Sequence, residues 1–428
     1  MISPNSERKA IFLFYGDVIK SRGTAIYLSS FLKYMGQIWK ETETQFFQVH
    51  FSNTDSCPEE TALPEFSKAP FIKLYPYIPR IIWRFYELLY CYLRIFSYLF
   101  QRVDNSLTTV FFCGEALIPV VLLCNIMGYR SVFVKMGIIE EFKYSSNSPA
   151  VLKYLILRQL EKRFLQRFDV ISVVSEGMRK YLWQNYGISP VRVAVLPCAA
   201  DQDTFGYRPD SRLEIRRDLG LEDRIVFVYN GICAPWQCIR ETIACFKLIK
   251  DFDDRAFLLV LSPDRELFKQ YLSCLDPEDY RVLSVEHTLM DRYLSSADCG
   301  FLIRKRNIIN RVASPLKFSE YLICGLPVII GPEVGDFSNI IQNEGIGAVI
   351  DPDYPEGWKK RLTPLLEQIS NDGEGLKNNC YHLAFDRFSW QKVSQRFMVL
   401  KSAPEIKEFK DPFFSGSCRN FEKLHLIE

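Results

Sequence analysis
The sequence predicts an α/β protein made of two doubly wound, Rossmann-like domains facing each other across a cleft. Three observations carry that prediction. Short apolar runs of strand length alternate with helical stretches along most of the chain, the pattern of a parallel sheet with helices on both faces. The length, 428 residues, suits two or three domains better than one core. Hydrophobic content of 48% with 24% charged residues is enough to fill sizeable interiors.

In the first half, apolar runs at 10–15, 46–51, 109–113, 131–135 and 169–174 read as buried parallel strands. Helical stretches at 24–35, 115–127 and 150–167 separate them, with Thr24 as the cap of the first. Sheets of this kind bind ligands at the C-terminal ends of their strands. Those ends carry Gly16, Asp17 and, beyond them, Gly23 and Thr24, then Gly114–Glu115, Lys135–Met136–Gly137 and Ser175–Glu176. Gly16, Gly23, Thr24, Glu115, Lys135, Gly137 and Glu140 are therefore the ligand-side candidates of the first half. Glu140 and Glu141 read either as a solvated helix start or as contacts to a ligand.

The stretch 75–103 is dense in Tyr, Phe, Leu and Ile, with Arg80, Arg84, Arg94 and Arg102 interleaved. Glu87 and Arg94 interrupt it, so it cannot span a bilayer. It reads as a helix lying in a membrane interface, or as a core helix whose arginines reach the surface.

A strand at 192–196 leads into P-C-A-A-D-Q-D-T-F, and a polar linker begins near Gly206. This predicts a first domain over 1–205 and a second over 206–388. A final helix follows over 389–401, and 402–428 is an irregular tail. The second domain repeats the alternation, with strands at 224–229, 257–261, 281–285, 298–303, 326–330 and 348–350. Helices fall at 237–250, 264–275, 289–296 and 316–324. Arg304, just past its strand, is a candidate bidentate phosphate clamp.

The chain is organised around 310–331, N-R-V-A-S-P-L-K-F-S-E-Y-L-I-C-G-L-P-V-I-I-G. Polar turn residues come first, then Ser314 and Pro315 as N-cap and first-turn proline, a helix from Leu316, a terminating glycine and a buried strand. Unpaired N–H groups and the helix dipole make such a start suited to phosphate. Lys317 sits in the first turn, where the dipole disfavours a cation and a bound anion would resolve the conflict. Glu320 lies one turn further on, within reach of sugar hydroxyls. The other reading is an ordinary buried helix with a solvated lysine.

The run S-P-L-K-F-S-E-Y-L-I-C-G-L-P-V-I-I resembles the donor-site signature of the retaining glycosyltransferases of the GT-B fold, the large family-four group, in the branch with S-P-x-K ahead of E-Y-L-x-x-G-x-P-V-I. The junction is similar to that family's P-N-G-V-D-x-x-x-F at Pro197, Asp201 and Phe205, with Cys198–Ala199 replacing Asn-Gly. The resemblance implies the GT-B fold, sugar transfer with retention, and a C-terminal helix at 390–400 that crosses back to the first domain. It also implies that the chain at Gly231 approaches the phosphates and that His287 lies near the nucleobase; a bystander surface histidine is the other reading of that residue.

Three family features are missing. Val312 stands eight positions before Glu320, where an acidic residue is usual. The basic pair after the first strand of the second domain is replaced by Ile232 to Gln237, and no histidine occurs in 114–141. By charge inventory, Lys317 and Arg304 supply the two cations, with Asn310 on a donor-sugar hydroxyl. The expectation is a metal-independent, cofactor-free glycosyltransferase. Ser314, the Leu316 and Lys317 amides, Lys317 and Arg304 hold the diphosphate, and Glu320 holds the ribose. The strand-end candidates Gly16, Gly23, Thr24, Glu115, Lys135, Gly137 and Glu140 form the acceptor side, and the acceptor is a sugar or lipid-linked sugar in cell-surface glycoconjugate synthesis.

Two rivals remain. A metal-dependent enzyme would need a D-x-D at a strand end, and Asp251-Phe252-Asp253 reads as a turn. A catalytically silent nucleotide-sugar-binding scaffold fits the missing residues. No G-x-G-x-x-G follows a strand and no P-loop is present. A formal net charge of +2 argues against nucleic acid. Thirteen scattered cysteines without C-x-x-C spacing, four histidines, and an opening M-I-S-P-N-S-E-R-K without a basic leader predict a cytosolic protein, at most touching the inner face of the membrane.

Overall fold
The computed structural model describes residues 9–15, 27, 30–31, 33–35, 44–49, 71–74, 92–93, 95–100, 108–144 and 148–402. Gly16, Gly23, Thr24, the whole of 75–91 with 94 and 101–103, and the tail beyond 402 lie outside them.

The strands are β1 (Lys9–Tyr15), β2 (Thr44–Val49), β3 (Phe71–Leu74), β4 (Thr108–Cys113), β5 (Arg130–Lys135), β6 (Val170–Val173), β7 (Val193–Val195), β8 (Ile225–Asn230), β9 (Ala256–Leu261), β10 (Tyr280–Leu283), β11 (Cys299–Leu302), β12 (Val328–Ile330) and β13 (Gly347–Val349). The described helices are α1 (Val121–Met127), α2 (Ser148–Phe164), α3 (Glu176–Tyr186), α4 (Pro209–Leu219), α5 (Ile239–Lys250), α6 (Arg265–Leu272), α7 (Met290–Ser295), α8 (Ile308–Val312), α9 (Leu316–Ile323), α10 (Phe337–Glu344), α11 (Trp358–Arg387) and α12 (Trp390–Ser402).

Two parallel sheets result, β3-β2-β1-β4-β5-β6-β7 and β10-β9-β8-β11-β12-β13. Apolar strands such as Thr108–Cys113 and Ala256–Leu261 are buried along their whole length, because helices cover both faces. On one face of the first sheet Ile95, Leu117, Val121, Leu165, Met178 and Leu182 pack over β1, β4 and β5; on the other, Tyr27, Phe31 and Tyr34 join Trp390, Val393 and Phe397 of α12. The expected crossover is present, with Trp390 stacked on Tyr34 at 5.9 Å and the Phe397 ring 5.3 Å from Phe31.

Local chemistry altered several expected elements. The stretch at 115–127 opens as a 3-10 turn over Glu115–Val120 before becoming α1, because Pro119 has no N–H for the ladder. The expected polar turn at 310–313 is instead the end of α8, capped by the Asn307 side chain on the Asn310 amide at 2.8 Å. Ser314 is not the cap of α9; Pro315 holds that position in an extended conformation. The Ser314 hydroxyl accepts from the Cys198 amide at 2.9 Å instead. Strand β3 and helices α3, α4, α8, α10 and α11 are not among the expected elements, although α3 and α10 bury apolar residues at helical spacing, Met178, Tyr181 and Leu182 in one and Phe337, Ile340 and Ile341 in the other. Asp251–Asp253 is a turn, and Asp253 grips Arg255 at 2.7 Å.

Candidate functional site
The start of α9 is fixed by its own aromatic residue. The Tyr321 hydroxyl accepts from the Asn230 amide at 2.9 Å and donates to the Phe301 carbonyl at 3.4 Å, tying the helix to the ends of β8 and β11. Gly300 makes room for it: a Cβ there would meet the Tyr321 ring at 2.6 Å. Anchored this way, α9 presents its first turn beside the loop that leaves β8.

Lys317 turns into that loop. Its ammonium donates to Gln237 Oε1 at 3.0 Å and lies 4.7 Å from the centre of the Tyr229 ring. The side chain keeps some solvent access, yet protein surrounds it closely enough that burial, and secondly the Arg304 charge, push its pKa down to about 7; Glu320 opposes the shift. Among the described residues the Leu316 and Lys317 amides donate to no acceptor. The solvated-lysine reading does not hold.

Arg304 follows β11, its backbone pressed against Gly331, where a Cβ would lie 2.1 Å from the Arg304 carbonyl oxygen. One guanidinium nitrogen reaches Asn310 Oδ1 at 3.4 Å, while Nε is buried with no described hydrogen-bond partner. Burial lowers its pKa, and Tyr229, Cys238 and Glu141 partly compensate. Neither Lys317 nor Arg304 has a salt bridge to a described carboxylate. Two desolvated cations in mutual repulsion form a site that favours an anion.

Glu320 is buried and faces His287, whose Nε2 stands 3.4 Å from Glu320 Oε1. The His287 ring lies 5.1 Å from Phe205 of the inter-sheet connection. Asn310 is buried, and its amide donates to the Lys305 carbonyl at 2.8 Å. The donor-side candidates Gly231, His287, Asn310, Ser314, Leu316, Lys317, Glu320 and Arg304 are thus brought into one region.

On the first-sheet side the candidates divide. Lys135 is fully buried and bonded to the equally buried Glu161, which also accepts from the Tyr186 hydroxyl at 2.6 Å; Glu115 lies 3.8 Å away. Lys135 is therefore committed to the interior rather than open to an acceptor, because a lone buried carboxylate would be too costly. Glu140 lies near Tyr181, and its Oε2 is buried with no described hydrogen-bond partner. Gly137 allows Glu141 to fold close, with a Cβ there lying 2.9 Å from Glu141 Oε1. Burial, then Glu115, raises the Glu141 pKa, and Arg304 acts against the rise. Glu141 of the first domain lies close enough to Arg304 of the second for their charges to interact.

The two domains meet beside this site. Ser175 Oγ donates to the Val312 carbonyl at 2.7 Å, and Asp336 Oδ2 accepts from the Glu176 amide at 2.8 Å. Ser319 Oγ donates to the Cys198 carbonyl at 2.5 Å. Sequence reasoning missed Gln237 and Tyr229, which hold Lys317; their signal is a polar group at the end of β8 and in the loop that follows. Among the described residues no cluster of His, Cys, Asp or Glu could hold a metal ion, and no helix is long and apolar enough to cross a membrane.

The sequence model "Glycosyltransferase Family 4" matches residues 51–204, which excludes the stretch from Asn310 to Gly331. No curated protein sequence matches the chain. Among solved structures, sucrose-phosphate synthase from Thermosynechococcus elongatus is similar at 17% identity and a TM-score of 0.66, covering 92% of this chain and 98% of that one. HepE of Anabaena in complex with UDP is similar at 14% identity and a TM-score of 0.66, covering 92% and 100%. WaaG, a glycosyltransferase involved in lipopolysaccharide biosynthesis, is similar at 14% identity and a TM-score of 0.62, again covering 92% and 100%. The fold is GT-B.

Proposed function
We propose that the protein is a retaining glycosyltransferase that moves a sugar from a nucleotide-diphosphate sugar to a hydroxyl acceptor. The observation that carries this reading is the pair of desolvated cations, Lys317 and Arg304, at the open amide end of α9. In the proposed complex those cations and the Leu316 and Lys317 amides neutralise the departing diphosphate, the largest electrostatic demand of the reaction. Glu320 accepts from ribose hydroxyls beside His287, and Asn310 meets the donor sugar. Support for a nucleotide sugar comes also from the HepE structures, which hold UDP, UDP with glucose, and UDP-glucose. The acceptor enters from the loops of the first sheet, where Glu141 and Glu115 lie. We assign residues 1–205 to the acceptor domain, 206–388 to the donor domain and 389–401 to the crossover.

A thermal-shift screen across UDP-, GDP-, ADP- and dTDP-sugars tests the donor site, since a ligand of the native state raises Tm. One selective nucleotide should shift the wild type and leave Lys317→Ala unmoved. A flat response to all four removes the proposal.

A second reading rests on a specific observation: the position eight before Glu320 is Val312, buried and engaged through its carbonyl with Ser175. A nucleotide-sugar-binding scaffold would bind the donor without hydrolysing or transferring it. Turnover with a hydroxyl acceptor separates the two.

A further inference from the structure
Helix α2 is built unlike its neighbours. It rests chiefly on the 3-10 turns at Glu115–Val120 and Ile139–Tyr144 rather than on a strand. Its buried Tyr154 and Leu157 form a small cluster with Ile139, separate from the main cores. With about 100° between successive residues, these two and the buried Glu161 occupy one side of the helix. The opposite side carries Val151, Leu152, Leu155 and Ile156, exposed by 51%, 60%, 52% and 52%. Single exposed aliphatics are ordinary, but four contiguous ones over two turns form a patch that calls for an occupant.

Charge identifies the occupant. Further along the exposed side come Lys162 and Arg163, flanked by Lys153 and Arg158. The one acidic residue of α2 is Glu161, on the buried side and bonded to Lys135. The described exposed surface of α2 therefore combines aliphatic and cationic side chains, the aliphatic ones concentrated at 151–156, and carries no acidic residue. A protein interface is depleted of lysine and of charge at its centre, whereas a bilayer with anionic headgroups takes aliphatic and cationic groups side by side. The first domain exposes a second apolar pair: the helical residues at 95–100 pack on the first sheet through Ile95 and Leu99, and expose Phe96 and Phe100 with rings stacked at 5.9 Å.

We propose that α2 docks the protein on an anionic lipid bilayer, with Leu152, Leu155 and Ile156 at the acyl boundary and Lys162 and Arg163 among the headgroups. This is a different element from the interface helix the sequence predicts within 75–103. Because α2 follows the loop that carries Glu140 and Glu141, docking holds the first-domain side of the cleft next to the bilayer. That consequence, that the acceptor is lipid-anchored, rests on the transferase reading; the docking itself does not.

Co-sedimentation of the full chain with phosphatidylcholine vesicles, with and without phosphatidylglycerol, tests the proposal. The wild type should bind only when phosphatidylglycerol is present, and less at high salt. The double variants Leu155→Ser/Ile156→Ser and Lys162→Gln/Arg163→Gln should each lower partitioning about tenfold at unchanged Tm. Wild-type chain that ignores phosphatidylglycerol overturns the proposal, as does full binding by both variants, which would move the contact to another segment. A wild-type dimer that Leu155→Ser/Ile156→Ser dissociates, with no vesicle binding, would make α2 an interface between copies and also overturn it. Vesicle binding is read without donor or turnover, so its failure leaves the donor-site reading standing, and the converse holds too.

Discussion

A methyl group placed on Gly231 would lie 2.5 Å from the Lys317 ammonium nitrogen and 2.7 Å from its Cε. The lysine therefore occupies the volume that a side chain after β8 would fill, and the glycine's φ of +136° is one that side-chain-bearing residues avoid. Gly231→Ala should cost about 1–3 kcal/mol in stability through backbone strain. It should also push Lys317 away from Gln237 and abolish the nucleotide-induced Tm shift. A variant that keeps the full shift would show that the lysine's position is immaterial to donor binding.

Lys317→Ala should lower sugar-transfer turnover by orders of magnitude, about 10²–10³-fold if it acts as a single preorganised charge-stabilising donor. Circular dichroism should be unchanged, since Tyr321 rather than Lys317 anchors α9. Turnover near the wild-type rate would dismiss the assignment.

The lysine also sets a pH signature. Its folded-state pKa of about 7 lies below its ordinary 10.5. Between those values the unfolded chain binds more protons than the folded one, so stability rises with pH from about 7 upward. Denaturant titrations of the wild type should show that gain, and Lys317→Met should lack its part of it. Parallel curves for the two proteins would place the lysine's pKa elsewhere.

A diphosphate beside Lys317 favours its charged form, so binding above pH 7 should take up protons, and affinity should weaken as pH climbs. Calorimetry of UDP binding at pH 8, in buffers of different ionisation enthalpy, measures the uptake directly. Buffer-independent heats would count against a phosphate contact at this nitrogen.

The domain contact gives a prediction free of substrate. Asp336 caps the start of α3 from the other domain through the Glu176 amide, and burial raises its pKa. Gly177 itself packs so closely that a Cβ would lie 2.3 Å from the Arg311 carbonyl oxygen. Asp336→Ala should destabilise the protein by about 1–2 kcal/mol, and Gly177→Ala should separate the two surfaces, detectable as a larger radius of gyration in solution scattering. An unchanged radius in the glycine variant would mean that the contact can shift without loss.

Much of this was written in the order of the residues. Apolar runs of five or six residues between amphipathic stretches are readable because burial on both faces leaves no alternation, and that alone dictates two parallel sheets. The proline, lysine, glutamate and glycine of the stretch around α9 are equally local. A helix start, a charge in its first turn and a terminating glycine within about fifteen residues need no tertiary knowledge to recognise.

What the fold alone decided are the partners of those groups. Lys135 and Lys317 look alike in the sequence, each a lysine at the edge of an apolar segment. Packing gave one a buried carboxylate, Glu161, and the other only an amide oxygen, Gln237, and a ring, Tyr229. The first charge is neutralised inside the protein and the second is left unsatisfied. Partners that lie 26 and 80 residues away in the chain are chosen by the three-dimensional meeting of elements, which no local pattern records.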